Sequence, residues 1–333
     1  MRFLRCSSLG LLTAAACTLL NAPLAGQAWT QPRTPDGQPD LQGNWNNSTL
    51  TQLERPRQFA NKQYLSEQET VAIETKLREQ GDWDRPGAPQ QPGTGLGYNY
   101  LFWDAGDKLA RIDGRGLTSL IIDPPDGRIP ALTPEAQKRE AARRLARSKR
   151  GPADSWLDLN LAERCLTRAS PKLPGGYNNN VQIIQTRDSV MIMSEMLHEV
   201  RVIHLDGRPH LPANVRLWQG DSIGHWEGDT LVVDTTNYRD EVRNASFNCC
   251  GPAGEGLHIT ERFRRVDQNT IDFRYTVDDP TTYTRPWTVA VPMIRMDEPI
   301  FEYACHEGNY SLVDVLKGAR AEEKAAEETA RKK

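Results

Sequence analysis

Three carboxylates fall where a folded sheet would not ordinarily place charge. Glu261 alternates with Leu257, Ile259 and Phe263, Glu195 follows Met191 and Met193 at the same spacing, and Glu302 sits in a third short run, 299–305. On a strand, residues two apart share a face, so these carboxylates point with the apolar side chains toward a core. A carboxyl group stripped of water holds its proton to higher pH and becomes a candidate general acid or base. All six histidines (His198, His204, His210, His225, His258 and His306) lie in the same stretch. The chemistry these residues could do is proton transfer. Glu261 or Glu195 would take a proton, His306 or His225 would return it, and Arg201 or Arg285 would hold the developing anion. The competing reading is structural, with an inward arginine closing an ion pair on the glutamate.

Other residues could line a pocket around them. Asp234 and Tyr238 lie on one face at strand spacing. The loop Asp278-Asp279-Pro280-Thr281-Thr282-Tyr283-Thr284-Arg285-Pro286-Trp287 delivers Arg285 and Trp287 to a strand start, a pairing suited to a ring-bearing or anionic ligand. Trp287 also fits a plain core position beside Val289, Val291 and Met293. The run Tyr303-Ala304-Cys305-His306-Glu307-Gly308-Asn309-Tyr310 places an imidazole, a carboxylate and an amide just past a strand end, where barrel mouths meet ligands. Glu302 and Tyr303 join Arg201, Asp234, Tyr238, Arg285 and Trp287 as candidate binding residues. No metal is expected: the turn Asp206-Gly207-Arg208 separates His210 from His198 and His204. No organic cofactor is expected either, because the chain has no Gly-x-Ser-x-Gly elbow, phosphate loop, His-Glu-x-x-His helix or dinucleotide fingerprint.

The elements that must position these groups read as hairpins. Turn residues at Arg187-Asp188-Ser189, Asp206-Gly207-Arg208, Glu227-Gly228-Asp229 and 266–270 punctuate strands predicted near 181–186, 190–197, 199–205, 222–226, 230–238, 257–265, 270–277, 286–295 and 299–305. The fold class expected is mainly β, an antiparallel up-and-down barrel like that of the lipocalins, over 181–316. Residues 29–180 form an irregular region wrapping the barrel, with two short helices. Ser66 and Glu69 make a capping box for a helix at about 66–80, and Thr133-Pro134-Glu135 starts another at 134–149. A buried strand is expected at 117–122, followed by a turn at 123–128. The segment 82–100, rich in Pro, Gly and Gln, is expected on the surface, and 317–333 as a charged, solvated tail.

The first 28 residues read as a secretory signal peptide. Arg2 and Arg5 precede an apolar run at 9–20, and Gly26-Gln27-Ala28 offers small residues for cleavage. The run is too short to span a bilayer, so a periplasmic or secreted location follows. Cleavage removes two positive charges from a chain of formal net charge −3, a balance unsuited to nucleic acid. It leaves Cys165, Cys249, Cys250 and Cys305, an even number that favours disulfides in an exported chain. The preferred arrangement pairs Cys249 and Cys250 each with one of Cys165 and Cys305. The alternative is a bond between the adjacent two.

The motifs Asp123-Pro124-Pro125-Asp126-Gly127-Arg128, His225-Trp226-Glu227-Gly228-Asp229-Thr230, Glu261-Arg262-Phe263 and the 303–310 run resemble those of a family of exported bacterial proteins from soil and water. The resemblance extends over most of the mature chain and implies a lipocalin-like barrel. It assigns no catalytic residue, and the family's abundance in soil bacteria fits plant-derived carbohydrate or aromatic ligands. Two functions remain: a cofactor-independent lyase, isomerase, dehydratase or hydrolase, and a carrier of a small ligand. The inward carboxylates favour the enzyme, because burying charge is costly and a carrier of apolar molecules has no use for it.

Overall fold

The computed structural model describes residues 29–81, 104, 106–151, 153–244 and 249–332. Residues 1–28, expected as a signal peptide and holding Cys6 and Cys17, and the segment 82–100 lie outside the described residues.

The N-terminal part supplies four short strands, β1 (Gly43–Asn46), β2 (Arg111–Ile112), β3 (Arg115–Gly116) and β4 (Ile121–Asp123). The hairpin-rich part supplies β5 (Asn180–Gln185), β6 (Ser189–Ser194), β7 (Val200–His204), β8 (Asp221–Glu227), β9 (Thr230–Thr236), β10 (His258–Arg265), β11 (Thr270–Asp278), β12 (Trp287–Ala290) and β13 (Met293–Met296). Nine of them close a ring in the order β10-β9-β8-β7-β6-β5-β1-β13-β11, with β11 returning to β10, while β12 and β4 extend from β11 outside the ring. The chain is therefore mainly β and built on a closed barrel, as the alternating pattern implied. Closure pairs the strand edges with one another and leaves few exposed.

Alternation decides which side chains fill the interior. On β10 the buried set is Ile259, Glu261, Phe263 and Arg265, and on β11 it is Ile271, Phe273, Tyr275 and Val277. Phe263 and Phe273 pair in register and stack with ring centroids 4.4 Å apart. Trp45 and Trp287 are fully buried and complete the core with Val289.

Three details depart from an up-and-down meander. First, β7 and β8 run parallel, Ile203 opposite Ser222, across a long connection at 205–220, which a parallel neighbour requires. Second, the strand expected at 299–305 does not form. Pro299 offers no N–H to a ladder, and the place beside β13 is taken by β1, with Trp45 opposite Arg295. The N-terminal part thus contributes a stave of the barrel as well as a wrapping. Third, the strand expected at 286–295 breaks at Val291-Pro292 into β12 and β13.

The helices follow their caps. Helix α1 (Glu67–Gly81) opens on the capping box, Ser66 N donating to Glu69 Oε2 at 2.8 Å and Glu69 N to Ser66 Oγ at 3.3 Å. Helix α2 (Pro134–Ser148) begins with Ala136 N donating to the Thr133 hydroxyl at 3.1 Å. Helix α3 (Ser311–Arg331) carries no buried residue, in keeping with a solvated tail. None of the described helices is long and apolar enough to cross a membrane.

The disulfide pairing corrects the preferred expectation. Cys165 bonds Cys305, their Cα atoms 5.8 Å apart across 140 residues of sequence, and Cys249 bonds its neighbour Cys250. With the distant pair meeting at ordinary disulfide spacing, the adjacent pair has only itself.

Candidate functional site

The barrel interior holds a buried ion pair. Glu261 points inward from β10, opposite Tyr275 of β11 and Val233 of β9. Arg201 points inward from β7, in register with Ile192 of β6. Their side chains are 0% and 5% exposed, and the guanidinium grips the carboxylate with two hydrogen bonds, one of 2.8 Å from Nη2 to Oε1 and a second from Nη1 to Oε2. Such a fork is the strongest ordinary ion-pair geometry, and inside a protein each charge depends on the other. The inward carboxylate expected at 261 is present, and it is paired rather than free. Burial, and after it the negative charge of Glu261, pushes the Tyr275 and Tyr238 phenols far above their usual range.

A segment of the N-terminal part closes the barrel over this pair. Thr167, Ala169 and Pro171 are buried, and the Ser170 carbonyl accepts a 3.0 Å hydrogen bond from the Tyr238 hydroxyl. Between this segment and the inner faces of β5, β6, β7, β10 and β11 lies a pocket of about 40 Å³. Its charged lining comes from Lys172, Glu199, Arg201 and Glu261, with Asn47, Ser170, Ser194 and Gln219 as the neutral polar groups. That volume accommodates a few water-sized groups and falls well short of the space that drug-sized ligands fill.

Two ionisable groups here are displaced from their ordinary behaviour. Lys172 keeps some solvent exposure, but loss of water around its ammonium, reinforced by the positive charge of Arg168, lowers its pKa to about 7 against the pull of Glu195 and Glu199. Its ammonium donates to the Asn178 carbonyl. Glu199 is raised by burial, against hydrogen bonds from the Thr167 side chain, the Arg168 backbone N–H at 3.1 Å and Gln219. An amine near neutrality beside a carboxyl that burial raises above its usual range is an acid–base arrangement. Three buried polar atoms on lining residues, Asn47 Oδ1, Arg201 Nε and Ser194 Oγ, make no hydrogen bond. Glu195 stands just past the end of β6, buried, accepting from Asn180 Nδ2 at 2.8 Å and Phe301 N at 3.2 Å. The residues of β6 that line the pocket are Ile192 and Ser194, the opposite parity from Met191 and Met193.

Lys172 escapes a sequence reading because it lies outside any periodic element, between Pro171 and Leu173-Pro174. Its one sequence signal is a single lysine enclosed by apolar and proline residues. Glu199 stands two residues before Arg201, at the parity of a shared face, but it precedes the first residue of β7. It reaches the pocket from the turn before β7.

The remaining candidates are dispersed. His225 is exposed on the outer face of β8, 3.2 Å from Glu227. Asp234 and Tyr238 do not share a face. Strand β9 ends at Thr236, and Asn237, with φ 58°, breaks the alternation, so Tyr238 turns into the core while Asp234 stays outside. There Asp234 accepts from His258 Nε2 at 2.6 Å and meets His210 Nε2 at 2.8 Å, while His210 Nδ1 meets Asp221 at 2.8 Å. Arg285 forms an exposed two-point ion pair with Asp123 at 3.0 Å. Trp287 is core, edge-on to Tyr283 at 5.8 Å. Glu302 and His306 are exposed because the expected strand beneath them is absent. The Tyr303 carbonyl sits 3.0 Å from His198 Nδ1. The 303–310 run, fastened by the Cys165–Cys305 bond, borders a wider cleft of about 470 Å³ with Leu159, Glu163 and Leu312. That cleft gathers no buried titratable group. Among the described residues no group of three or more His, Cys, Asp or Glu is arranged to hold a metal ion.

No protein-family model matches the chain, and no curated protein matches it. Among solved structures, a mutant of the fluorescent protein UnaG aligns over 36% of this chain and 72% of its own, with 14% identity and a TM-score of 0.22. A likeness that slight carries no argument here.

Proposed function

We propose that this barrel takes a small polar molecule into the pocket beneath residues 169–172 and moves protons on it, with Lys172 as base and Glu199 as acid. The observation that carries this reading is convergence. Lys172, Glu199, Arg201 and Glu261, two of each sign, line one pocket of about 40 Å³. The Arg201–Glu261 pair serves as a fixed, charged floor, and the displaced pair above it does the chemistry. The pocket volume favours molecules of a few heavy atoms over sugar or aromatic rings. An exported location, as the leader-like residues 1–28 and the motif resemblance imply, accords with the two disulfides.

The test is hydrogen exchange on the ligand. Two- and three-carbon hydroxy, oxo and carboxylic acids would be incubated in D₂O with the protein, and loss of carbon-bound proton signal followed by NMR. The reading requires exchange of at least one compound that falls ~10²-fold or more in Glu199→Gln and Lys172→Met. Exchange that is equal in all three proteins would remove it.

The closed Arg201–Glu261 fork favours a second reading, a carrier in which the charged floor only orients its ligand. It calls for a compound that raises the melting temperature and exchanges no proton.

A further inference from the structure

We propose that Lys172 attacks the carbonyl carbon of a small aldehyde or 2-oxo acid and holds it as an imine, an inference that rests on the proton-transfer reading of the same pocket.

The geometry distinguishes this lysine from a structural one. A buried lysine usually carries its charge against a carboxylate. Lys172 instead donates to a backbone carbonyl, that of Asn178, and among the described residues it forms no ion pair. The charged groups acting on it are Arg168, Glu195 and Glu199. The other carboxylate lining the pocket, Glu261, is already held by Arg201. A pKa of about 7 leaves roughly half of the amine unprotonated at neutral pH, where an ordinary lysine near 10.4 has under ~0.1%. Only the free amine has the lone pair that attacks a carbonyl.

The rest of the pocket supplies what the reaction needs. The lone pair of Nζ forms a C–N bond as the carbonyl π pair moves to oxygen, and proton transfer gives a neutral carbinolamine. Loss of its hydroxyl as water takes one proton, and Glu199, which lines the same pocket and whose carboxyl burial raises above its usual range, is placed to give it. The products are the protonated imine, a Glu199 carboxylate and water. Arg201 Nε and Ser194 Oγ offer hydrogen-bonding capacity to a carboxylate or hydroxyl on the same molecule. A space of about 40 Å³ limits the compound to two or three carbons.

The experiment is reductive trapping on the full-length protein. Glyoxylate or pyruvate with sodium cyanoborohydride converts any imine to a stable secondary amine, which peptide mass mapping locates. At pH 7 the adduct on Lys172 should exceed that on exposed Lys138 or Lys317 by at least ~10-fold, and its rate should climb through pH 7 rather than near pH 10. Glu199→Gln should slow trapping at Lys172 by ~10-fold or more and leave Lys138 and Lys317 unchanged. Adducts spread evenly over the lysines would overturn the inference, as would none at Lys172. If Lys172 stays unmodified while a compound still exchanges protons with dependence on Glu199, the imine is excluded and the acid–base reading survives. If neither occurs, both fall.

Discussion

Arg201 and Glu261, sixty residues apart in sequence and on strands that are not neighbours, clasp each other across the barrel interior. The fork ties β7 to β10 through the space between them. With side chains at 5% and 0% exposure, the pair has almost no water to fall back on.

Removing one partner should therefore be costly. Glu261→Gln leaves an uncompensated guanidinium inside the barrel, and the expected loss is ~3–5 kcal/mol in denaturant unfolding. The double change Arg201→Met with Glu261→Leu should recover much of that loss. A single change that costs under ~1 kcal/mol would show the pair to be energetically idle.

Lys172 gives a pH signature of opposite sign to an ordinary ion pair. Its folded pKa of about 7 lies below the unfolded value, so between these two the unfolded chain binds more protons and stability rises with pH. The burden it places on the fold is complete below pH 7 and vanishes near pH 10.5. Lys172→Met should therefore stabilise the protein more at pH 6 than at pH 10. Glu199, raised instead of lowered, adds its own burden at higher pH than its folded value, so the comparison must be made against wild type at each pH.

On the outer face, His258 is raised chiefly by its hydrogen bond to Asp234. A raised histidine contributes stability that is complete below its unfolded pKa of about 6.5 and is lost as pH climbs through the folded value. Asp234→Asn should lower the His258 titration midpoint in NMR and flatten that fall in stability. An unmoved midpoint would mean the contact does not persist in solution.

The Cys165–Cys305 bond closes a loop of 140 residues, whereas Cys249–Cys250 closes none. Replacing Cys165 and Cys305 with serine should cost ~2–5 kcal/mol, and replacing Cys249 and Cys250 far less on chain-entropy grounds. Alkylation of the native protein without reductant should label none of the four. Equal destabilisation by the two pairs would contradict the loop argument.

What could be read in advance follows from what repeats. Period-two alternation points Glu261 inward with Leu257, Ile259 and Phe263 because each strand carries its own face pattern. The partner of Glu261 was legible only as a class, an inward arginine, since pairing across a barrel depends on closure. Asp234 and Tyr238 stand at strand spacing yet face opposite ways, because one left-handed residue, Asn237, reverses parity without disturbing composition. Lys172 was invisible for a related reason. Its surroundings are assembled from residues 167–178, the turn at Glu199 and the barrel end, and none of these has a period. The insertion of β1 beside β13 is a long-range choice that local pattern does not encode.

A small molecule bound by this protein should enter the pocket beneath residues 169–172. Ser194 lines it from β6, so Ser194→Met would fill it without touching Lys172, Glu199 or Arg201 by substitution. Calorimetric titration of wild type and this variant, with the compound showing the fastest proton exchange, tests the claim directly. The affinity should be at least ~10-fold weaker in Ser194→Met, a loss of ~1.4 kcal/mol, in a protein whose melting temperature confirms folding. Equal affinity in the two folded proteins would place the ligand elsewhere and contradict it.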